Sequence, residues 1–222
     1  SDVSLSFREV LKGEYYFEVP KIYKTQKSED GTIKLLLELG DGHKIETALL
    51  RYNYGNALCV SSQVGCNMGC SFCASGLLKK RRNLEVDEMV GQILVMNALL
   101  NEEGKGEVVT HIVVMGTGEP FDNFENVMDF VRIANHPKAF AIGARRITVS
   151  TCGIVPRIYE YADVGMQVNL AISLHASNDA LRSKLMRVNQ AYPLDKLIEA
   201  VKYYVFKTGR RVTFEYILLL LK

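Results

Sequence analysis

Cys66, Cys70 and Cys73 fall within eight residues, at spacings of four and three, with Gly65 and Gly69 on either side of the first cysteine. Thiolates in such a run hold iron–sulfur clusters, normally one per iron of a four-iron cluster. Three local ligands leave one iron without a protein thiolate, and an open position is what a catalytic metal site requires. The glycines permit the backbone turns by which one loop wraps three corners of a cube. Two other readings stay open here. Structural zinc ordinarily takes paired Cys-x-x-Cys units and four ligands, and this chain has one such unit. Three unrelated core cysteines are a common occurrence, although a polar, glycine-flanked loop is an odd place for them.

The elements that position this loop follow from hydrophobic patterning. Ala57–Ser62 reads as a buried strand before the cysteines, and Val86–Leu100 as a helix after them. Further strands are expected over 111–115, 146–150, 167–174 and 211–219. Further helices are expected over 124–135, 154–162, 180–186 and 194–207, with Asn178 and Pro193 as start signals. Repeated βα units imply a parallel sheet with right-handed crossovers. The fold class is therefore α/β, an open partial (β/α)6-type barrel, although only five such strands follow Gly55. Before it, 15–25, 32–39 and 43–50 are strand-like, with Asp30-Gly31 and Asp41-Gly42 as hairpin signals. The expected division is a helical remnant over 1–14, a small antiparallel β extension over 15–54 and the core over 55–222.

At 222 residues and 48% hydrophobic content the chain can bury a core without disulfide staples. It contains no apolar run long enough for a membrane span. Five cysteines without a signal-peptide pattern point to a reducing cytoplasm and a metal or catalytic use. The net charge of +2 does not by itself indicate a nucleic-acid partner. Lys79-Lys80-Arg81-Arg82, Arg145-Arg146 and Arg210-Arg211 are local basic clusters suited either to phosphates or to a solvated face.

Polar residues recur where the strands end: Gly116-Thr117-Gly118-Glu119-Pro120, Ser150-Thr151-Cys152-Gly153 and Ser173-Leu174-His175. In a β/α fold such ends converge on one mouth. The glycines would let the backbone approach a ligand, and Glu119 could accept a hydrogen bond from an amino group. Ser150 and Ser173 could bind a polar group or cap helices, and His175 taken alone reads as a structural histidine.

The Cys-x3-Cys-x2-Cys loop, with Phe72 before its last cysteine, resembles the radical S-adenosylmethionine (SAM) superfamily. The motifs Cys59–Cys66, Gly116–Pro120, Ala144–Thr151, Leu170–Ala176 and Thr208–Tyr216, in that order, resemble more closely the radical SAM methyltransferases acting on adenine C2 of bacterial large-subunit ribosomal RNA and tRNA. A sister subfamily acts at C8 of the same ribosomal adenine; the Gly-Glu-Pro and Gly-Ala-Arg-Arg wording here is closer to the C2 group. The resemblance implies a [4Fe-4S] cluster on Cys66, Cys70 and Cys73, and SAM contacts at Gly118, Glu119, Ser150, Ser173, Leu174 and His175. It also implies a proton-handling carboxylate at Glu46 and a product-releasing thiol at Cys59 that ends in a disulfide. Residue patterning alone ranks both low. A flavodoxin-type electron donor, a monomer and a cytoplasmic location are the remaining expectations. The non-enzymatic alternative is a zinc-dependent RNA-binding module.

The family's methyl-carrying cysteine has no counterpart in residues 1–222, since Cys152 occupies a strand-end turn and reads as a small buried residue. After Tyr216 the sequence also departs from the family's glycine-containing loop, further strand and SAM-contacting asparagine, and the join near Leu219 reads as discontinuous. These departures imply that residues 1–222 alone would bind the cluster but not complete methyl transfer.

Overall fold

The computed structural model describes residues 3–15, 18–104 and 106–218. An exposed helix α1 (Leu5–Glu14) precedes the strands β1 (Lys21–Lys27), β2 (Ile33–Glu38), β3 (Lys44–Tyr52) and β4 (Gly55–Cys59), which form an antiparallel meander. A two-stranded ribbon, β5 (Gln63–Val64) with β6 (Arg82–Asn83), brackets the cysteine loop. There follow α2 (Val86–Glu102), β7 (Val109–Val114), α3 (Phe124–Asn135), β8 (Ile147–Thr151), α4 (Val155–Asp163) and β9 (Asn169–Ser173). The last elements are α5 (Asp179–Leu185), α6 (Val188–Ala191), α7 (Leu194–Thr208) and β10 (Val212–Glu215).

All strands except β5 and β6 belong to one sheet, ordered β1-β2-β3-β4-β7-β8-β9-β10. From β4 onward neighbours are parallel. Among the described residues β1 and β10 remain edges, so the barrel does not close. The β extension is not a separate layer, because β3 pairs with β4 through Ala48↔Cys59 and Leu49↔Leu58. Period-two burial explains the continuity: Leu35, Leu37, Ile45 and Leu49 point to the same core as Leu58, Ile112 and Val149. That core is completed from one side by α2, α3, α4 and α7, through residues such as Ile93, Phe130, Ile158 and Tyr204. The expected helices and sheet strands all appear, with shifted ends; the expected strand over 211–219 stops at Glu215, and its position 219 lies outside the described residues. No helix among the described residues is long and apolar enough to cross a membrane.

Because the helices take one face, the other is left for polar chemistry. Glu46 and Ala48 on β3 alternate with the buried Ile45, Thr47 and Leu49. Cys59 lies opposite Ala48 and Val113 opposite Cys59, so these residues share the helix-free face.

Candidate functional site at the carboxyl ends of the parallel strands

The cysteine loop has little regular structure of its own and is held by its neighbours. Leu78 and Lys79 return across its base, where Cys66 N–H donates to the Leu78 carbonyl (2.9 Å). Gly65 has φ +74°, and a Cβ there would lie 2.3 Å from the Lys79 carbonyl oxygen, so only glycine fits. On the other side Ser71 N–H donates to Leu185 O (2.9 Å), and Met68, Cys70 and Phe72 pack on Leu185, Met186 and Ala176. The α5–α6 region thus clamps the loop against the sheet.

Cys66, Cys70 and Cys73 line one cavity together with Gly118, Glu119, Ser150, Ser173, His175 and Glu215. Burial raises the Cys66 thiol and pushes Cys70 up to about 11, and the thiols reinforce each other's shift. Thiols that resist deprotonation alone become ligands once a cation stabilises the thiolate. Three sulfurs around one cavity, with carboxylates and hydroxyls opposite, fit a cluster carrying an open position for a polar ligand.

Glu119 is 3% exposed. Its Oε1 accepts from Phe121 N (3.0 Å) and its Oε2 from Cys152 N (2.8 Å), tying the end of β7 to that of β8. Burial raises its pKa against the pull of those donors. Ser150 and Ser173 cap no helix: each hydroxyl donates to the Glu215 carboxylate at 2.9 Å. The Glu215 carbonyl accepts Leu174 N (3.0 Å) and His175 N (3.1 Å). His175 adopts a left-handed backbone (φ 57°), its Nδ1 accepts from Ile217 N (3.2 Å), and its ring meets Phe72 edge-on at 4.7 Å. The structural reading of that histidine is correct for one nitrogen, while its ring still lines the cavity.

Gly116 and Gly118 line the cavity and have a further reason besides the one their spacing suggests. A Cβ on Gly118 would meet Gln63 at 2.7 Å and one on Gly116 would meet Ser61 at 2.6 Å. They let two backbone segments of the protein approach each other. The segment they meet is fixed by Gln92, fully buried on α2, which bonds both the N–H and C=O of Ser61 (2.9 and 3.0 Å), and by Gln63, which accepts from Glu119 N (2.9 Å).

Three residues of consequence escape sequence reasoning. Glu215 ends β10 as Glu119 follows β7, a positional signal that could have found it. Arg182, 0% exposed, donates to Leu174 O (3.1 Å), Ser173 O (3.1 Å), Cys152 O (2.7 Å) and Asn189 Oδ1 (3.0 Å). A helical arginine carries no sign that it will be buried, and Gln92 likewise none. Glu46 and Cys59 are not in the cavity wall. Glu46 is about half exposed and pairs with Lys34 at 2.9 Å. Cys59 sits beside the wall residue Met115, and burial pushes its thiol up to about 11. All five cysteines are free thiols, so the disulfide expected for Cys59 is not formed.

A family profile described as the Radical SAM superfamily matches residues 60–220. The chain therefore belongs to the radical SAM superfamily, whose cofactors are a [4Fe-4S] cluster and S-adenosylmethionine. Within it, the chain is similar to a "Probable dual-specificity RNA methyltransferase RlmN" of Spiroplasma citri, 55% identical over 99% of the chain and 63% of that relative. A relative of the same description from Geobacillus kaustophilus is 56% identical over 94% of the chain and 57% of its own length. The fold matches the crystal structure of a radical SAM methyltransferase from Sphaerobacter thermophilus, with a TM-score of 0.90 and 45% identity over 98% of this chain and 63% of that one. The chain thus spans less than two thirds of these relatives.

Proposed function

We propose that this chain is the catalytic core of a cytoplasmic RNA methyltransferase that acts on adenine C2 in large-subunit ribosomal RNA and in tRNA. The observation that carries the reading is the convergence of Cys66, Cys70 and Cys73 with Glu119, Ser150, Ser173 and Glu215 on one cavity. The similarity to RNA methyltransferases over nearly the whole chain supports the substrate class.

When bound, the cluster and SAM supply the one-electron chemistry that an unreactive aromatic C–H requires. Cys66, Cys70 and Cys73 are the ligands. Glu119, buried and already accepting two backbone N–H groups, keeps free lone pairs for an amino group. Glu215 orients the Ser150 and Ser173 hydroxyls, and the Arg182 fork holds the carbonyls of the same strand ends, so the polar wall is preorganised. Gly118 and His175 complete it, and Leu174, which does not line the cavity, follows Ser173 at the same strand end. Glu46 takes the ring proton and Cys59 supplies the releasing thiol. They share the helix-free face, Cys59 lying opposite a residue two positions from Glu46. With its pKa near 11 Cys59 is a protonated thiol at neutral pH, so release must coincide with proton transfer to a base. A flavodoxin-type protein donates the electron, and the enzyme acts as a monomer.

The test is anaerobic reconstitution of the full-length protein with iron and sulfide, followed by SAM, a reductant and unmodified large-subunit RNA. Methyl label on adenine C2 with 5′-deoxyadenosine formed is the expected result. Label at C8, or 5′-deoxyadenosine without RNA methylation, overturns the assignment. Colourless protein holding zinc and unable to cleave SAM overturns the radical chemistry as well.

A further inference from the structure

The opposite end of the sheet is also chemically distinctive. Arg145 and Arg146 precede β8, and Arg210 and Arg211 precede β10. Elsewhere Arg51, Arg82, Arg132 and Arg157 each bind a carboxylate. Among the described residues none of the four strand-start arginines has one within ion-pair distance. Their recorded side-chain partners are neutral: Arg145 donates to Gln167 Oε1 (2.9 Å) and Arg210 to Asn169 Oδ1 (2.8 Å). Amide oxygens aim a guanidinium without neutralising it. Arg210 Nε is buried and has no acceptor. Arg145, Arg210 and Arg211 line a cleft of about 430 Å³ with Thr148, Asn169 and Thr213.

Along the same edge of the sheet, on the far side of β7, lies an aromatic platform. Tyr52 and Tyr54, at the β3–β4 turn, stack at 4.8 Å and 8°, although they are 48% and 63% exposed. Tyr54 meets His111 edge-on at 5.2 Å, and the pairing Ile112↔Ile147 brings His111 alongside Arg146. The nearby Glu103 and Glu107 are already paired with Arg51, and Glu103 with Lys27 as well. Cations without counter-ions on the same edge as exposed, stacked rings are what single-stranded RNA requires: phosphates on the arginines and bases on the rings. The basic run beside the cysteines is less available, because Lys80 binds Asp122 and Arg82 binds Asp41 and Glu88.

The geometry points to the strand-start edge as a docking strip for single-stranded RNA, with Arg145, Arg210 and Arg211 holding backbone phosphates and Tyr52 and Tyr54 stacking bases. This inference rests on the RNA-substrate reading and adds a second RNA contact far along the sheet from the cluster loop.

The test is fluorescence anisotropy of a labelled adenine-containing RNA oligonucleotide of about 16 nucleotides, titrated with the chain at several salt concentrations. Each phosphate contact on a single strand contributes about 0.7 to the salt slope, so R145A/R210A/R211A should lower its magnitude by about 2 and weaken low-salt binding at least about tenfold. Tyr54→Ala should weaken binding about five- to hundredfold with the slope unchanged, and Tyr54→Phe should restore it. Arg211→Glu, at an exposed side chain, gives the same direction of effect if the triple variant folds poorly. RNA binding by the wild-type chain that none of these variants alters overturns the strip while leaving the methyltransferase reading intact. Absence of salt-dependent RNA binding in the wild-type chain overturns the strip as well. Altered binding together with failed C2 methylation by the full-length protein would sink the methyltransferase reading and leave the strip.

Discussion

The two ends of the parallel strands carry opposite chemistry. At the carboxyl ends, engaged acceptors dominate: the buried Glu119 and the half-buried Glu215 accept from backbone N–H groups and hydroxyls, and Arg182, the one buried cation among the described residues, binds carbonyls rather than a carboxylate. At the starts, arginines lack carboxylate partners among the described residues and tyrosines stack in solvent. A parallel sheet aligns all its strand ends on one side, so a single segment such as β8 serves Ser150 at one end and Arg145 at the other. The acidic end is over-determined by hydrogen bonds before any ligand arrives. The basic end is under-determined and suited to a partner that brings its own shape. This is the division expected between catalysis, which needs preorganised groups, and docking of a flexible polyanion, which does not.

The comparison can be broken most severely at the cysteines. Cys70→Ala should abolish iron retention and SAM cleavage outright while leaving salt-dependent RNA binding within about twofold, if the two ends are independent. Iron analysis and anisotropy on the same sample measure both. Glu46→Gln should come next, slowing turnover of the full-length enzyme by about 10²- to 10⁴-fold while sparing SAM binding and cluster content. An unchanged rate would remove Glu46 from the mechanism.

Stability effects at the carboxyl end follow. Arg182→Met keeps much of the side-chain volume but strips the donors from three backbone carbonyls and Asn189. With each abandoned buried acceptor costing about 1–3 kcal/mol, a loss of at least about 3 kcal/mol is expected by urea unfolding, and the corresponding loss for Arg211→Met should be under about 0.5 kcal/mol. Gly118→Ala should cost about 1–3 kcal/mol, because its φ of +114° disfavours any side chain and its Cβ would meet Gln63. Equal effects at Arg182 and Arg211 would erase the contrast between a packed end and an open one.

How much of this was legible beforehand depends on whether the signal was local. The βα alternation, the hairpin glycines and the cysteine loop are local patterns, and the helices and sheet strands read from them are the ones found. Two kinds of information were not local. One was sheet continuity: that β1–β3 extend the main sheet depends on Leu35, Leu37, Ile45 and Leu49 choosing the same core as Ile112, which periodicity allows but does not dictate. The other was the identity of buried polar groups. Gln92, Arg182 and Glu215 matter for what they bond to across 30 or more residues of sequence, except where Arg182 reaches Leu174, Ser173 and Asn189. The glycines at 116 and 118 serve a second purpose that was not legible, because a close approach to a ligand and a close approach to Ser61 and Gln63 leave the same mark in a sequence.

The smallest effect is also the most local test of the basic end. His111 lies between Tyr54 and Arg146, with the Thr110 hydroxyl 2.9 Å from its Nδ1. Burial lowers its pKa below the usual 6.5, and the Arg146 charge lowers it further. A histidine depressed in the folded state is neutral there while its unfolded counterpart protonates. Its contribution to stability is therefore whole above about pH 6.5 and is lost as the pH falls through the folded value. Arg146→Gln removes the second cause but not the first, so the His111 midpoint, followed by NMR of the imidazole ring, should rise towards 6.5 without reaching it. RNA bound along the strip should move the same midpoint upward in the wild-type chain, because phosphates beside Arg146 offset its charge at His111. A midpoint that responds to Arg146→Gln but not to RNA would keep the electrostatics of this end and remove its ligand.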